Sequence, residues 1–173
     1  MGLCSYTVSM SFFVHAVDAP LPRTETSKQI AVFLAGIMAV MSVAQLFSLE
    51  EFIEVAQTFA LPFGQVSTAA FVPIIISLEV FSLPFLLRMR LSSAMRWCSM
   101  AFGWAAVALW VFVSLWLAII YPEGVETVGF LGGLATVQPG WWAVYVSGAL
   151  CILSVWASWG LWPKHPSSRN DKK

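Results

Sequence analysis

The sequence has little charge and few cysteines or histidines, and each shortage excludes a class of protein. Of its 173 residues, nine are basic and nine are acidic. The charged share is only 10%, whereas an average soluble domain carries about 25%. A soluble fold of this length needs polar side chains to cover its surface, and 59% of these residues are hydrophobic. The net charge of zero also excludes the broad basic surface of a nucleic-acid-binding protein. The composition therefore predicts an integral membrane protein.

The three cysteines, Cys4, Cys98 and Cys151, lie far apart and form no CxxC pair. This spacing argues against a disulfide framework and against a zinc site. The two histidines, His15 and His165, fall outside the apolar segments. The sequence therefore predicts no metal site. Because no pairing of a nucleophile with a base is recognisable, it also favours a protein that is not an enzyme.

Four segments are apolar and long enough to cross the ~30 Å hydrocarbon core, which takes about 20 residues of α-helix. Their continuous apolar runs differ from the alternation of membrane β-strands. We therefore predict an all-α fold, an integral membrane four-helix bundle in residues 30–162, with tails at residues 1–29 and 163–173. The predicted spans are residues 30–49, 66–87, 97–121 and 141–162.

Basic residues are retained on the cytoplasmic side of membrane proteins, and here their distribution is one-sided. With four spans, the N-terminus, the middle loop and the C-terminus share one side, which holds all nine lysines and arginines. The charged residues of the two loops on the opposite side are all acidic: Glu50, Glu51, Glu54, Glu123 and Glu126. We predict a multi-pass protein of the plasma (inner) membrane with both termini in the cytoplasm.

The two loops on the acidic side have features of their own. A capping-type residue, Ser48, precedes two acids, which is the signature of a helix start, and Pro62 ends the segment. Because the residues between form a partly apolar face, we predict a short interfacial helix over residues 50–61. The second loop, residues 122–140, has five glycines and no charge after Glu126. We predict that it dips into the edge of the bilayer.

One acidic residue, Glu79, lies inside the second span, about 12 Å from its cytoplasmic end at 1.5 Å per residue. An ionised acid at that depth costs at least ~2.5 kcal/mol on insertion scales. Glu79 should therefore be neutral, or it should face the interior with a partner. Pro73 and Pro84 flank it, and each removes a backbone hydrogen bond, which predicts a bent helix.

Depth along the spans indicates which side chains lie near Glu79. Ser154 falls at nearly the same depth, Cys151 slightly further out, and Ser42 and Gln45 further toward the outer face. Two roles remain open for the acid: a proton-handling or ligand-anchoring carboxyl, or a neutral residue that hydrogen-bonds across helices and fixes their packing. The structural role is favoured, because no second ionisable residue lies at this depth.

Tryptophan is abundant, with nine residues. Several lie at the predicted membrane edges, where an amphipathic ring gains from both phases. Three more, Trp104, Trp110 and Trp116, lie within the third span. Large aromatic side chains there are typical of packing or lipid contact.

A set of short motifs runs from the end of the first span through the second. They are Leu46-Phe47, Glu51-Phe52, Leu61-Pro62, Pro73 and Leu78-Glu79. The set resembles the MauE/DoxX group of small four-helix membrane proteins, in which a loop helix and a Leu-Pro pair lead to a span with an embedded proline and a Leu-Glu pair. The first loop is closer to the MauE (methylamine utilisation) branch. The resemblance covers residues 30–162 in topology and 46–87 in motif.

The resemblance implies a role beside a redox enzyme. MauE-type proteins are associated with maturation of a disulfide-rich dehydrogenase subunit, and DoxX-type proteins with membrane redox complexes. By this likeness the chain is a membrane accessory protein, without a cofactor of its own, that assists maturation or assembly of another membrane or extracytoplasmic redox protein at the outer face. The chain departs from the pattern at Gln45, where relatives often carry a lysine, so any Lys–Glu contact does not carry over.

Two other functions remain open. One is a quinone-interacting membrane redox subunit, with Glu79 as the intramembrane proton or ligand group and tryptophans around the quinone ring. The other is a small transporter, which would need a homo-oligomer because one four-helix unit is small. Disulfide-generating chemistry is disfavoured, since Cys4 and Cys98 are predicted on the cytoplasmic side and Cys151 is alone within the membrane.

Overall fold

The computed structural model describes residues 19, 22–61, 65–120 and 125–162. Most of the predicted N-terminal tail and all of the predicted C-terminal tail lie outside these residues. Within them the chain is all-α, as predicted, with five helices and no strand. The helices are α1 Glu25–Phe47, α2 Leu49–Thr58, α3 Gln65–Leu86, α4 Ser93–Ile120 and α5 Trp141–Leu161.

Three helices, α1, α4 and α5, are long and apolar enough to cross a membrane, judged by length and composition. In α3 the shorter stretch Ala70–Leu86 is apolar. Large apolar side chains are also exposed along these helices, among them Phe33, Ile119 and Ile152, each more than 60% exposed. An apolar exterior of this kind suits lipid rather than water. These features support the predicted class of membrane protein.

Two of the long helices begin before their apolar runs because serine or threonine caps them. Thr24 precedes α1, and its Oγ1 accepts a hydrogen bond from Ser27 N at 3.1 Å. Ser92 precedes α4, and its Oγ accepts one from Met95 N at 3.3 Å. Such caps satisfy backbone donors that have no partner within the helix. Both helices therefore extend several residues beyond the segments that hydrophobicity alone marks as spans.

The four long helices pack side by side. α1 contacts α3 and α5, α4 contacts the same two helices, and α2 lies across α3. The approach of α1 to α5 is very close at Gly160, where an added Cβ would overlap the side chain of Ser27. Small residues let helix backbones approach closely within membranes. The absence of a side chain at Gly160 thus allows α1 and α5 to come into close contact at Ser27.

Pro84 interrupts the hydrogen bonding of α3, and a side chain of α4 enters there. Ser99 Oγ accepts a hydrogen bond from Phe85 N at 3.0 Å and donates one to the Phe81 carbonyl oxygen at 2.6 Å. In a regular α-helix that N–H and that carbonyl would bond each other directly. A side chain inserted in this way is a recognised cause of helix bending. The Pro84 region of α3 is therefore joined to α4 by a polar contact.

The two ends of the helix assembly differ in charge. The acidic end comprises α2 and residues 125–140, and the basic end comprises the start of α1, the turn between α3 and α4, and the end of α5. The exposed acids at the acidic end are Glu50, Glu51, Glu54 and Glu126. The basic residues described at the other end are Arg23, Lys28, Arg88, Arg90 and, in the first turn of α4, Arg96, and one acid, Glu25, is also exposed there.

Candidate functional site

Glu79 lies on α3 and is fully buried against α1 and α4, with 0% of its surface exposed. Both carboxyl oxygens accept hydrogen bonds. Oε2 accepts one from Ser42 Oγ at 3.0 Å. Oε1 accepts one from Trp110 Nε1 at 2.7 Å and one from Gln45 Nε2 at 3.4 Å. All three donors are uncharged, so the acid is held by neutral hydrogen bonds.

Helical spacing brings these groups together. Ser42 and Gln45 are three residues apart and therefore lie on one face of α1. Ser42 Oγ also lies 2.9 Å from the Met38 carbonyl oxygen of the preceding turn. On α3, Ser82 Oγ donates to the backbone carbonyl oxygen of Glu79 at 2.6 Å. The acid thus sits in a short polar layer within an otherwise apolar interior.

Gln45 also connects the carboxyl to the loop at the acidic end. Its Nε2 donates a second hydrogen bond to the Phe130 carbonyl oxygen at 3.0 Å. Directly after the end of α1, Ser48 Oγ accepts a hydrogen bond from Gly133 N at 2.8 Å. Gly132 has φ +62° and lies so close to Ser48 that an added Cβ would overlap its side chain. Residues 130–133 are therefore fastened to α1 directly beside the buried acid.

Aromatic rings enclose the indole that bonds to Glu79. The ring centroid of Trp110 lies 4.7 Å from that of Phe130, 6.0 Å from Phe71 and 6.5 Å from Phe52. These rings come from the loop, α3 and α2 respectively, and all are buried. Such pairs add roughly 0.5–1.5 kcal/mol each beyond their buried area. The cluster therefore joins α2 and the loop to the interior.

Two of the four side chains predicted near Glu79, Ser42 and Gln45, bond to its carboxyl. The other two, on α5, are not among its hydrogen-bond partners. Ser154 is buried beside a small void that Ser82, Ser99 and Ser158 also line. Cys151 is exposed, in an apolar groove on α5 with Ile152, Val155, Trp156 and Trp159. Depth estimates do not say which face of a helix a residue occupies.

Trp110 packs in the interior, as predicted for a tryptophan within a span, but its hydrogen bond to Glu79 was not predicted from the sequence. The indole is 0% exposed, whereas Trp104 is 46% exposed. A signal was present in the neighbours of Trp110 on α4. Ala106 and Ser114, each one turn away, are small, and small residues at helical spacing mark the face that packs against other helices. Trp110 lies on that face.

The described residues contain no group of three or more His, Cys, Asp or Glu side chains able to hold a metal ion. Around the Glu79 carboxyl, the described hydrogen-bond donors are the uncharged side chains of Ser42, Gln45 and Trp110. Comparison with protein-family models, curated proteins and solved structures finds no match.

Proposed function

We propose that this chain is a four-span bundle with cytoplasmic termini that serves as an accessory protein in the plasma (inner) membrane. It assists the maturation or assembly of a redox partner at the outer face, which is the acidic end. The one-sided distribution of lysine and arginine supports this orientation. The MauE/DoxX-like motifs support the class of partner, a membrane or extracytoplasmic redox protein.

The observation that carries the proposal is the packing of the described residues at the acidic end. Segments that only connect helices do not need a core, yet Phe52, Phe59 and Val128 are each 0% exposed and pack into the interior. The four glutamates of this surface remain exposed. Exposed side chains of one charge sign on a packed surface favour docking and orientation of an oppositely charged partner.

The surroundings of Glu79 favour the accessory function over a transporter or a quinone-interacting subunit. Glu79 is 0% exposed, and the groups around its carboxyl belong to the protein itself. A transporter needs a route to a binding site, and a quinone mechanism needs the acid beside the ring. The groove on α5, about 480 Å³ in volume, contains Trp156 and Trp159, but Glu79 is not among its lining residues. The tryptophan-lined groove and the buried acid are therefore separate.

Charge reversal on α2 tests the proposed docking surface. Glu50→Lys with Glu54→Lys changes two exposed acids one turn apart, and we expect partner binding to weaken roughly tenfold, about 1.4 kcal/mol. In a deletion strain, quantitative proteomics of the exported fraction should show loss of one mature redox protein whose transcript is unchanged. The wild-type gene should restore it and the double variant should not.

A matched control is Glu25→Lys, a charge reversal at the exposed opposite end, which should restore the redox protein as the wild type does. Full restoration by the double variant would reject the docking surface. No change in any exported redox protein on deletion would reject the accessory function. Quinone reduction by the purified protein would favour the redox-subunit alternative.

The orientation has a direct test in intact cells. In a background without native cysteines, Glu126→Cys should react with a membrane-impermeant maleimide, because the acidic end faces outside. Met89→Cys, which replaces a half-exposed residue of the turn between α3 and α4, should react only after permeabilisation. Labelling of position 89 but not position 126 in intact cells would reverse the topology.

A further inference from the structure

The two oxygens of the Glu79 carboxyl have chemically different surroundings. Oε1 faces the indole N–H of Trp110, which can only donate, and the Gln45 amide nitrogen, which also donates. The orientation of that amide is set by Phe130, whose carbonyl oxygen accepts from the same nitrogen. Turning the amide over would place Gln45 Oε1 against the Phe130 carbonyl oxygen. Glu79 Oε1 therefore accepts hydrogen bonds from both of its partners, and neither partner could accept a hydrogen bond from a proton on Oε1.

Oε2 faces a group that works in both directions. The hydroxyl of Ser42 lies 3.0 Å from Oε2 and 2.9 Å from the Met38 carbonyl oxygen. A hydroxyl has one proton and two lone pairs, so it donates to one of these oxygens at a time. If it donates to Met38, its lone pairs face Oε2. Ser42 can thus serve an ionised carboxylate as donor or a protonated acid as acceptor.

We infer that Glu79 is a reversible proton-binding site in which the proton is carried on Oε2 and the Ser42 hydroxyl reverses as the proton comes and goes. When the carboxylate takes up a proton, an O–H bond forms at Oε2 and donates to Ser42 Oγ. Ser42 then donates to Met38 instead of to Oε2. On release the Oε2–H bond breaks, the hydrogen bond between Oε2 and Ser42 Oγ changes direction, and the bond from Ser42 to Met38 is given up. In both forms Oε2 and Ser42 Oγ stay hydrogen-bonded to each other without movement of a heavy atom.

The charge change belongs to Glu79 alone, because the groups that face it do not titrate. They are Ser42 and Gln45 from α1 and Trp110 from α4. The charged residues on the elements packed around them lie toward the helix ends or on the exposed acidic end. These are Glu25 and Lys28 on α1, Glu50, Glu51 and Glu54 on α2, Arg96 on α4, and Glu126 in the loop. This inference goes beyond the proposed accessory function and does not depend on it.

Infrared difference spectroscopy of the full chain in lipid nanodiscs tests the site. We expect a carboxylic-acid C=O band that disappears as pH rises, returns when pH is lowered, and is absent from Glu79→Gln. Because Oε1 is the carbonyl oxygen of the acid, Trp110→Phe should move the band to higher frequency by removing a donor. Trp116→Phe is the matched control, since that indole donates to the Phe59 carbonyl oxygen instead.

Ser42→Ala tests the reversing hydroxyl. In D2O the acid O–D stretch should move to higher frequency in this variant, because the deuteron loses its acceptor. Ser147→Ala is the control, a 0% exposed serine on α5 that donates to the Val144 carbonyl oxygen, and it should leave the stretch unchanged. Circular dichroism of each variant should show the helical spectrum of the folded protein. A Glu79 acid band that never appears, or never disappears, over the pH range of the folded protein would overturn the site. A band unmoved by Trp110→Phe, or an O–D stretch unmoved by Ser42→Ala, would overturn the assignment to Oε2.

Discussion

Glu79→Leu should destabilise the protein by about 2 kcal/mol, because three interhelical hydrogen bonds at roughly 0.6 kcal/mol each are lost. The Trp110 N–H is then buried without its acceptor. Glu79→Gln should cost less than about 0.5 kcal/mol. Its amide oxygen can accept from Trp110 and Gln45, and its nitrogen can donate to Ser42. Unfolding in detergent mixtures, followed by circular dichroism, measures both.

The pair of variants separates charge from hydrogen bonding. Ser77→Ala on the same helix is a control of exposed position, since Ser77 bonds only to the Pro73 carbonyl oxygen one turn back. It should change the free energy of unfolding by less than about 0.5 kcal/mol. If Glu79→Gln proved as damaging as Glu79→Leu, the negative charge would be required for packing. If Gln were stable but failed to restore the redox partner in cells, proton exchange would be part of the function.

Trp110→Ala should be the most damaging of these substitutions, with a loss of about 3–5 kcal/mol as for large-to-small changes in protein cores. The side chain is 0% exposed and contacts rings from α2, α3 and the loop. Its removal leaves a cavity and takes a donor from Glu79. Hydrogen–deuterium exchange should also rise in residues 128–137, because Phe130 loses the indole against which it packs.

Two further substitutions serve as comparisons for Trp110→Ala. Trp110→Phe keeps an aromatic ring in the cluster and removes only the N–H donor, so its cost should be about 1 kcal/mol. Trp156→Ala removes a half-exposed indole from the exposed side of α5 and should lower the free energy of unfolding by less than about 0.5 kcal/mol. A loss at Trp110→Ala no greater than at Trp156→Ala would show that the aromatic cluster does not hold the loop in place.

The sequence by itself determined the class of protein and the course of its helices. Charged residues are too few for a soluble surface, and continuous apolar runs of about 20 residues have one stable form in lipid, since an α-helix satisfies its own backbone. The α2 helix was also predicted, over residues 50–61, from Ser48 and the acids after it. In the structure it spans Leu49–Thr58, and the Ser48 side chain makes no cap hydrogen bond but bonds to Ala44 and Gly133 instead. The burial of one acid followed from its place within an apolar run, and its depth from the rise per residue.

Only the tertiary structure decided which side chains meet that acid. Rise per residue gives depth, but the rotation of each helix depends on a difference between its faces. In α3 and α5 the interior and exterior faces are both apolar, so periodicity does not indicate which face is inside. The sequence therefore did not show that Ser42 and Gln45 would bond to Glu79, or that Ser154 and Cys151 would not be among its hydrogen-bond partners. The bonds to Trp110 and to the Phe130 carbonyl also join segments far apart in sequence, and packing of the whole chain brings them together.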